Sequence, residues 1–275
     1  MSTHHHPFDQ ALALEATAPG HYRGHTHPAY WNMVGPFGGI TAATLLQAIL
    51  LHPERLGEPL SLTVNYAAAL STGPFTVQAV PVRTNRSTQH WTVSLLQTDA
   101  QGASVVTTTA TAVTAARRET WSLSDQPMPA VPQPEALERI GPVSGVEWFN
   151  RYELRPVAGA LPQRWNGQGD SSLTQLWIRD TPERPLDFCA LAALADVFFP
   201  RVWLRRAVQV PAGTVSITVY FHASAAQLQA TGTGYVLGQA RAQEFRNGFF
   251  DQTAQLWNEA GTMLATSHQI VYYKE

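Results

Sequence analysis

The stretch Ile40-Thr41-Ala42-Ala43-Thr44-Leu45-Leu46-Gln47-Ala48-Ile49-Leu50-Leu51 is apolar on nearly every side. That pattern predicts a helix buried on most of its faces. The turn cluster Gly35-Pro36-Phe37-Gly38-Gly39 opens it, and His52-Pro53 ends it. Downstream the period changes to two. Runs at 60–69, 74–84, 89–99 and 103–114 are rich in Thr and Val, and several alternate polar with apolar positions, as in Thr92-Val93-Ser94-Leu95. These read as strands. Asp99-Ala100-Gln101-Gly102 reads as a hairpin turn, with Gly at the position needing φ > 0. Upstream, residues 8–18 predict a short helix or strand.

The plan then recurs. Strands are expected near 149–155 and 173–179, followed by a helix over 186–199, started by Pro185 and stopped by Pro200. More strands are expected at 214–223, 234–246, 249–258 and 262–273. Ser61-Leu62-Thr63-Val64-Asn65 aligns with Ser216-Ile217-Thr218-Val219-Tyr220, and Gln97-Thr98-Asp99-Ala100-Gln101-Gly102 with Leu256-Trp257-Asn258-Glu259-Ala260-Gly261. Both matches have nearly the same spacing, which argues for a duplicated domain over a solenoid of short repeats. The expected division is a first repeat at 1–114, a Pro-rich extended surface linker at 115–144 and a second repeat at 145–275. One buried helix followed by an antiparallel meander, done twice, is α+β. A sheet wrapped around one long helix is the hotdog arrangement, and two side by side would share one continuous sheet.

Composition narrows the setting. Hydrophobic residues are 44% of the chain, enough for a sizeable core. Charged residues are only 14%, against roughly 25% in typical domains. That scarcity points to extensive buried surface and a homo-oligomer. A net charge of -2 gives no general attraction to nucleic acid or anionic membrane. The single cysteine, Cys189, allows no intrachain disulfide or cysteine metal cluster and is read as a packing residue. No stretch approaches the ~18 apolar residues of a membrane span. No secretory signal is visible, so a cytoplasmic protein is expected. His4-His5-His6 reads as a frayed terminus or a tag remnant.

Asp196 stands out chemically, because it interrupts the apolar run Leu191-Ala192-Ala193-Leu194-Ala195-Asp196-Val197-Phe198-Phe199. A buried carboxylate needs hydrogen bonds or water, and near a helix C-terminus it opposes the macrodipole. The alternative is a side chain that simply reaches solvent. Gln269 interrupts the last strand, and Thr214 and Ser216 begin the strand matched to Ser61. Both could equally be ordinary polar strand positions. Gly38 and Gly39 would let a ligand approach the backbone of a helix N-terminus, whose free N–H groups can bind a developing oxyanion; the alternative is a cap. Arg83 and Arg86 are candidates for holding phosphate, or else residues of a solvated loop. The chain has no Gly-x-Ser-x-Gly elbow, phosphate-binding Gly-x-x-x-x-Gly-Lys-[Ser/Thr] loop or His-Glu-x-x-His.

Together these pieces resemble a double-hotdog acyl-CoA thioesterase of the thioesterase II type. The resemblance runs through Phe37-Gly38-Gly39, Ala195-Asp196-Val197-Phe198, Thr214 to His222, Arg246-Asn247-Gly248-Phe249 and Leu264-Ala265-Thr266-Ser267-His268-Gln269. It implies hydrolysis of a fatty acyl-CoA or related thioester, with Asp196, Thr214 and Gln269 positioning and activating a water, and no cofactor or metal. The family's acidic and histidine residues just after the Thr are Ser216 and Ile217 here, which bears on substrate choice. Two alternatives stand beside it. One is a hotdog enoyl-CoA hydratase, which pairs an Asp with a nearby His. The other is a non-catalytic acyl-CoA-binding protein.

Overall fold

The computed structural model describes residues 6–275. Its first half runs α1 (Pro7–Ala11), β1 (Glu15–Ala18), β2 (His21–His25), α2 (Gly38–Leu50), β3 (Glu58–Tyr66), β4 (Pro74–Thr84), β5 (Thr88–Thr98) and β6 (Ser104–Ala115). The second half runs β7 (Tyr152–Ala158), β8 (Thr174–Asp180), α3 (Phe188–Leu194), α4 (Arg201–Arg206), β9 (Ala212–Phe221), α5 (Ala225–Thr231), β10 (Val236–Arg241), β11 (Phe245–Arg246), β12 (Phe249–Asn258) and β13 (Met263–Tyr273). All strands join one antiparallel sheet in the order β1-β2-β4-β5-β6-β3-β9-β13-β12-β10-β8-β7, with β11 paired to β12. Read outward from the centre, both halves use the same plan. This is the expected double hotdog.

The seam between the halves is the β3·β9 ladder. Thr63 pairs there with Thr218, its own counterpart in the repeat, while Ser61 faces Tyr220 and Asn65 faces Ser216. A pseudo-two-fold axis therefore passes between Thr63 and Thr218, whose hydroxyls are 2.9 Å apart. Period-two alternation sends Leu62, Val64, Ile217 and Val219 to the inner face, where all are fully buried. The helices α2 and α3 pack together on that face, within one core.

The second helix is shorter than its apolar run. Asp187 caps it, accepting the Ala190 N–H at 2.8 Å, so Pro185 lies outside it. At the other end, Asp196 N–H bonds Ala193 O at 3.1 Å and Val197 N–H bonds Leu194 O at 3.4 Å. These tighter i→i−3 bonds end the helix. Asp196 thus sits in the turn after α3, not within a helix, and Pro200 caps α4. Arg201 is fully buried, without a carboxylate partner among the described residues. It donates to Phe199 O, Ser172 O, Thr174 Oγ1 and Ala240 O, which pins the Phe198–Pro200 segment following Asp196.

The run expected as one strand at 234–246 is broken, because the Asp251 carboxylate accepts Gln243 and Glu244 N–H groups, each at 2.9 Å. The short helix α5 was unforeseen, although Ser224 and Gln227 form a capping box at its start. Residues 116–133 lack regular structure, but this segment is fastened down. Met128, Val131 and Leu137 cover Trp177, Tyr235, Leu237 and Trp257 on the outer face of the second half, and Pro132 O accepts the Trp177 indole N–H at 2.9 Å. His6 is not frayed: its ring caps α1 by accepting Phe8 N–H at 3.1 Å. His4 and His5 lie outside the described residues. No helix among the described residues is long and apolar enough to cross a membrane.

Candidate active site

The N-terminus of α2 abuts the turn after α3. Glycine is what permits this approach. A Cβ on Gly39 would lie 2.6 Å from Ala193 O and 2.4 Å from the Phe37 ring. A Cβ on Gly38 would lie 2.6 Å from Asp196 Oδ2. Gly39→Val therefore attacks the helix crossing itself and is a poor probe of catalysis. Gly38→Ala is the sharper one, because its first obstacle is the carboxylate. We expect Gly38→Ala to fold and to lose turnover roughly tenfold or more, the ~1.4 kcal/mol scale of a small misplacement of a reacting group. Steady-state kinetics beside a thermal melt checks this, and unchanged kcat would show that the carboxylate need not sit where it does.

Three separated candidates converge here. Gln269 Nε2 donates to Asp196 Oδ1 at 2.9 Å and to Ala195 O at 3.4 Å. Thr214 Oγ1 reaches Gln269 Oε1 at 3.5 Å, which is long for a hydroxyl donor. Thr214 faces inward because of a register shift. Ser216 pairs with Ile270 but Thr214 pairs with Val271, leaving Val215 over as the bulged residue. The bulge turns Val215 outward and Thr214 in. Given the long contact, Thr214→Val should reduce kcat less than Gln269→Leu. The reverse order in side-by-side assays would mean that Thr214 touches the reacting water more directly than Gln269.

The Asp196 carboxyl is enclosed by protein, and its remaining accessible surface opens into a cavity of about 470 Å³. Burial raises its pKa to about 7, while the Gln269 amide and the Gly39 N–H pull it back towards the carboxylate range. No cation among the described residues contributes to the shift. The Tyr66 hydroxyl donates to Gly38 O at 2.8 Å. Its pKa is pushed up by burial and by Asp196, so it stays neutral. Phe37 stacks on Trp148 at 4.2 Å and, with Phe198, Phe199 and Leu70, makes much of the cavity wall apolar.

Gln252 was not singled out from the sequence. It pairs in register with Gln269 on the neighbouring strand, is buried and lines the cavity. Its carboxamide has no hydrogen-bond partner among the described residues. The only signal was a second Gln at an inward position of β12. Arg83 and Arg86 are not brought to the site. Arg83 donates to Asn85 Oδ1 at 3.1 Å in the turn after β4. That end of the sheet is level with Pro59 and Thr114, about 23 Å along β3 from Tyr66 at strand spacing. Cys189 is buried, its thiol donates to Gln47 Oε1 at 3.4 Å, and burial pushes its pKa up.

Comparison with known proteins gives the same frame. The chain matches over 98% of its length, at 46% identity and a TM-score of 0.91, a conserved hot dog-fold protein of unknown function from Alicyclobacillus acidocaldarius, covering 99% of that chain. An acyl-CoA thioesterase II from Mycobacterium marinum superposes with a TM-score of 0.76 at 18% identity, covering 97% of this chain and 98% of that one. The dehydratase domain of RzxB from Pseudomonas fluorescens has a TM-score of 0.55 at 12% identity, covering 98% of this chain and 100% of that one. The last two likenesses concern the fold. A search of curated proteins gives no match. Residues 27–115 match the acyl-CoA thioesterase N-terminal domain and residues 124–273 the acyl-CoA thioesterase C-terminal domain, and the chain belongs to that family.

Proposed function

We propose that the protein hydrolyses acyl-CoA thioesters by direct attack of water, with Asp196 as general base. The observation that carries this reading is a half-buried carboxyl, hydrogen-bonded by Gln269 at 2.9 Å, at the wall of a cavity lined by Phe37, Trp148, Phe198 and Phe199 together with polar side chains. A base whose pKa is about 7 is well matched to proton transfer near neutral pH. Asp196 takes a proton from water as its oxygen attacks the thioester carbonyl carbon. The tetrahedral intermediate then expels the thiolate, the C–S bond breaks, and the proton passes from Asp196 to sulfur. Gln269 and Thr214 orient the water. The first N–H groups of α2, at Gly38 and Gly39, have no intrahelical acceptor. The Gly39 N–H already favours the Asp196 carboxylate, so Gly38 and the unpaired amide of Gln252 are the better donors to the developing oxyanion.

The hydratase reading is less well served, because no histidine lines the cavity among the described residues. The decisive experiment incubates purified protein with a panel of acyl-CoA thioesters and follows thiol release. Turnover above background on at least one chain length is expected. Binding detected by calorimetry with no thiol released would favour a non-catalytic acyl-CoA-binding protein. Loss of enoyl absorbance without thiol release would favour the hydratase.

A further inference from the structure

Three cavities stand in line through the first half of the molecule. The first, with Asp196 in its wall, is also walled by Pro36, Thr41 and Leu70. Those three residues are shared with a narrow cavity of about 20 Å³, closed otherwise by Ile40, Thr44, Phe75 and Leu95. This waist in turn shares His25, Thr26 and His27 with a third cavity of about 520 Å³ on the far side. The line follows α2 from Gly38 past Thr41 to Thr44, a rise of about 9 Å. The waist is apolar, with Ile40, Leu70, Phe75 and Leu95 all buried. The far cavity is not: His25, Thr26, His27 and Thr72 line it beside Trp31 and Pro28.

The far end is also equipped for a polar group. His27 Nδ1 accepts Ala29 N–H at 3.2 Å, and its Nε2 meets Gln10 Oε1 at 3.3 Å. That pattern fixes His27 as a neutral ring with its proton on Nε2. Burial and the nearby charge of Arg151 push its pKa in the same direction. The buried Nε of Arg151 has no hydrogen-bond partner among the described residues. His25 differs from His27. Its side chain is exposed at the mouth of this cavity; Nδ1 meets Thr26 O at 2.9 Å, so Nδ1 carries the proton and Nε2 is open to solvent or to a ligand. Neutral, that nitrogen accepts from a hydroxyl; protonated, it donates to a carboxylate.

We propose that the channel along α2 takes an unbranched acyl chain of medium length whose far end carries an oxygen function, a hydroxyl or carboxylate, received by His25. This rests on the acyl-thioester reading above. The apolar waist suits methylenes, whose burial gains about 0.8 kcal/mol each. Beyond the waist a bare methyl end would meet the polar side chains of His25, Thr26 and Thr72 and solvent, not an apolar wall. The carbonyl stays at Asp196, and the distance along α2 sets the chain length.

The test compares butyryl-CoA, decanoyl-CoA, ω-hydroxydecanoyl-CoA and the CoA half-thioester of decanedioic acid. Butyryl-CoA is too short to pass the waist, so its turnover reports on the hydrolase reading alone. At least one ω-oxygenated substrate is expected to exceed decanoyl-CoA in kcat/KM by roughly fivefold, the scale of one net hydrogen bond. His25→Leu should bring that ratio close to one. Thr44→Leu, which fills the waist from within a helix, should lower the kcat/KM of every ten-carbon substrate relative to butyryl-CoA. A wild-type preference for decanoyl-CoA, or a ratio unchanged by His25→Leu, overturns the proposal. Should no thioester be hydrolysed, the hydrolase reading fails by itself, and calorimetric titration with ω-hydroxydecanoate, decanedioate and decanoate decides the channel. Tighter binding of an ω-oxygenated acid, lost in His25→Leu, supports it; equal binding overturns it.

Discussion

Asp196→Asn is expected to abolish most turnover while making the protein more stable at pH 8. The amide nearly preserves shape and can still accept a hydrogen bond from Gln269, but it cannot take a proton from water. General-base help is worth about 10²–10⁴-fold, and a loss on that scale in kcat is the expected result. The stability change follows from the pKa. Burial raises the folded-state value from 3.8 to about 7, so between those limits the native state binds a proton that the unfolded chain has released. The stability linked to this proton is fully present below the unfolded value and disappears as pH rises through the folded one. Holding the group ionised at pH 8 therefore costs roughly 4 kcal/mol, at 1.36 per pKa unit over about three units. Asn carries no such cost. Calorimetric melts should show a higher Tm for the variant at pH 8, with the difference shrinking towards pH 5. Asp180 is also raised to about 7 by burial, but it is present in both proteins and drops out of the difference. Wild-type turnover in the variant would remove Asp196 from the chemistry, and a Tm difference independent of pH would show that its carboxyl is not held near neutrality.

Gln269→Leu should move the pH dependence as well as lower the rate. In the wild type, kcat/KM is expected to rise with the ionisation of Asp196 and level off above its pKa of about 7. The Gln269 amide is the larger of the two groups favouring the carboxylate. Its removal therefore shifts the midpoint upwards. At pH 7 the variant loses both the orientation of its water and much of its ionised base. At pH 9 the second loss is largely restored. A pH series on one short acyl-CoA measures this directly. A lowered plateau with an unmoved midpoint would mean that Gln269 orients water or substrate without tuning the base.

Much of the architecture was legible because alternation and repetition are strong signals. The runs at 74–84, 89–99 and 249–258 have inward and outward positions that the sheet obeys, and the Ser61–Ser216 match marked equivalent strands, although that these two strands meet at the centre is visible only in the structure. The convergence of Asp196, Thr214 and Gln269 came from a resemblance; periodicity alone would have put Val215 rather than Thr214 on the inner face, because a bulge is invisible to a period-two count. The length of the second helix was misjudged for a related reason. Asp187 and Pro185 both mark helix starts, and hydrophobicity continues past Leu194 because the following turn is buried too. Arg201 escaped notice because its partners are carbonyls on distant segments, which no local pattern encodes. The reading of Arg83 and Arg86 as phosphate ligands came from their place in a turn, and position along the chain could not tell which end of the sheet that turn occupies.

The axis between Thr63 and Thr218 has a consequence for stoichiometry. Perfect symmetry would generate two hydrolytic centres in every polypeptide. The mirror of the Asp196 position is the other end of the helix pair, where α2 finishes beside the start of α3. Gln47 and the sealed thiol of Cys189 occupy that place, with no cavity at it among those described. In the proposed reaction one half contributes a carboxylate and the other a helix N-terminus to one shared centre. On that proposal catalytic capacity is counted per chain, not per repeat, and neither half is expected to retain a working fraction of it when separated from the other.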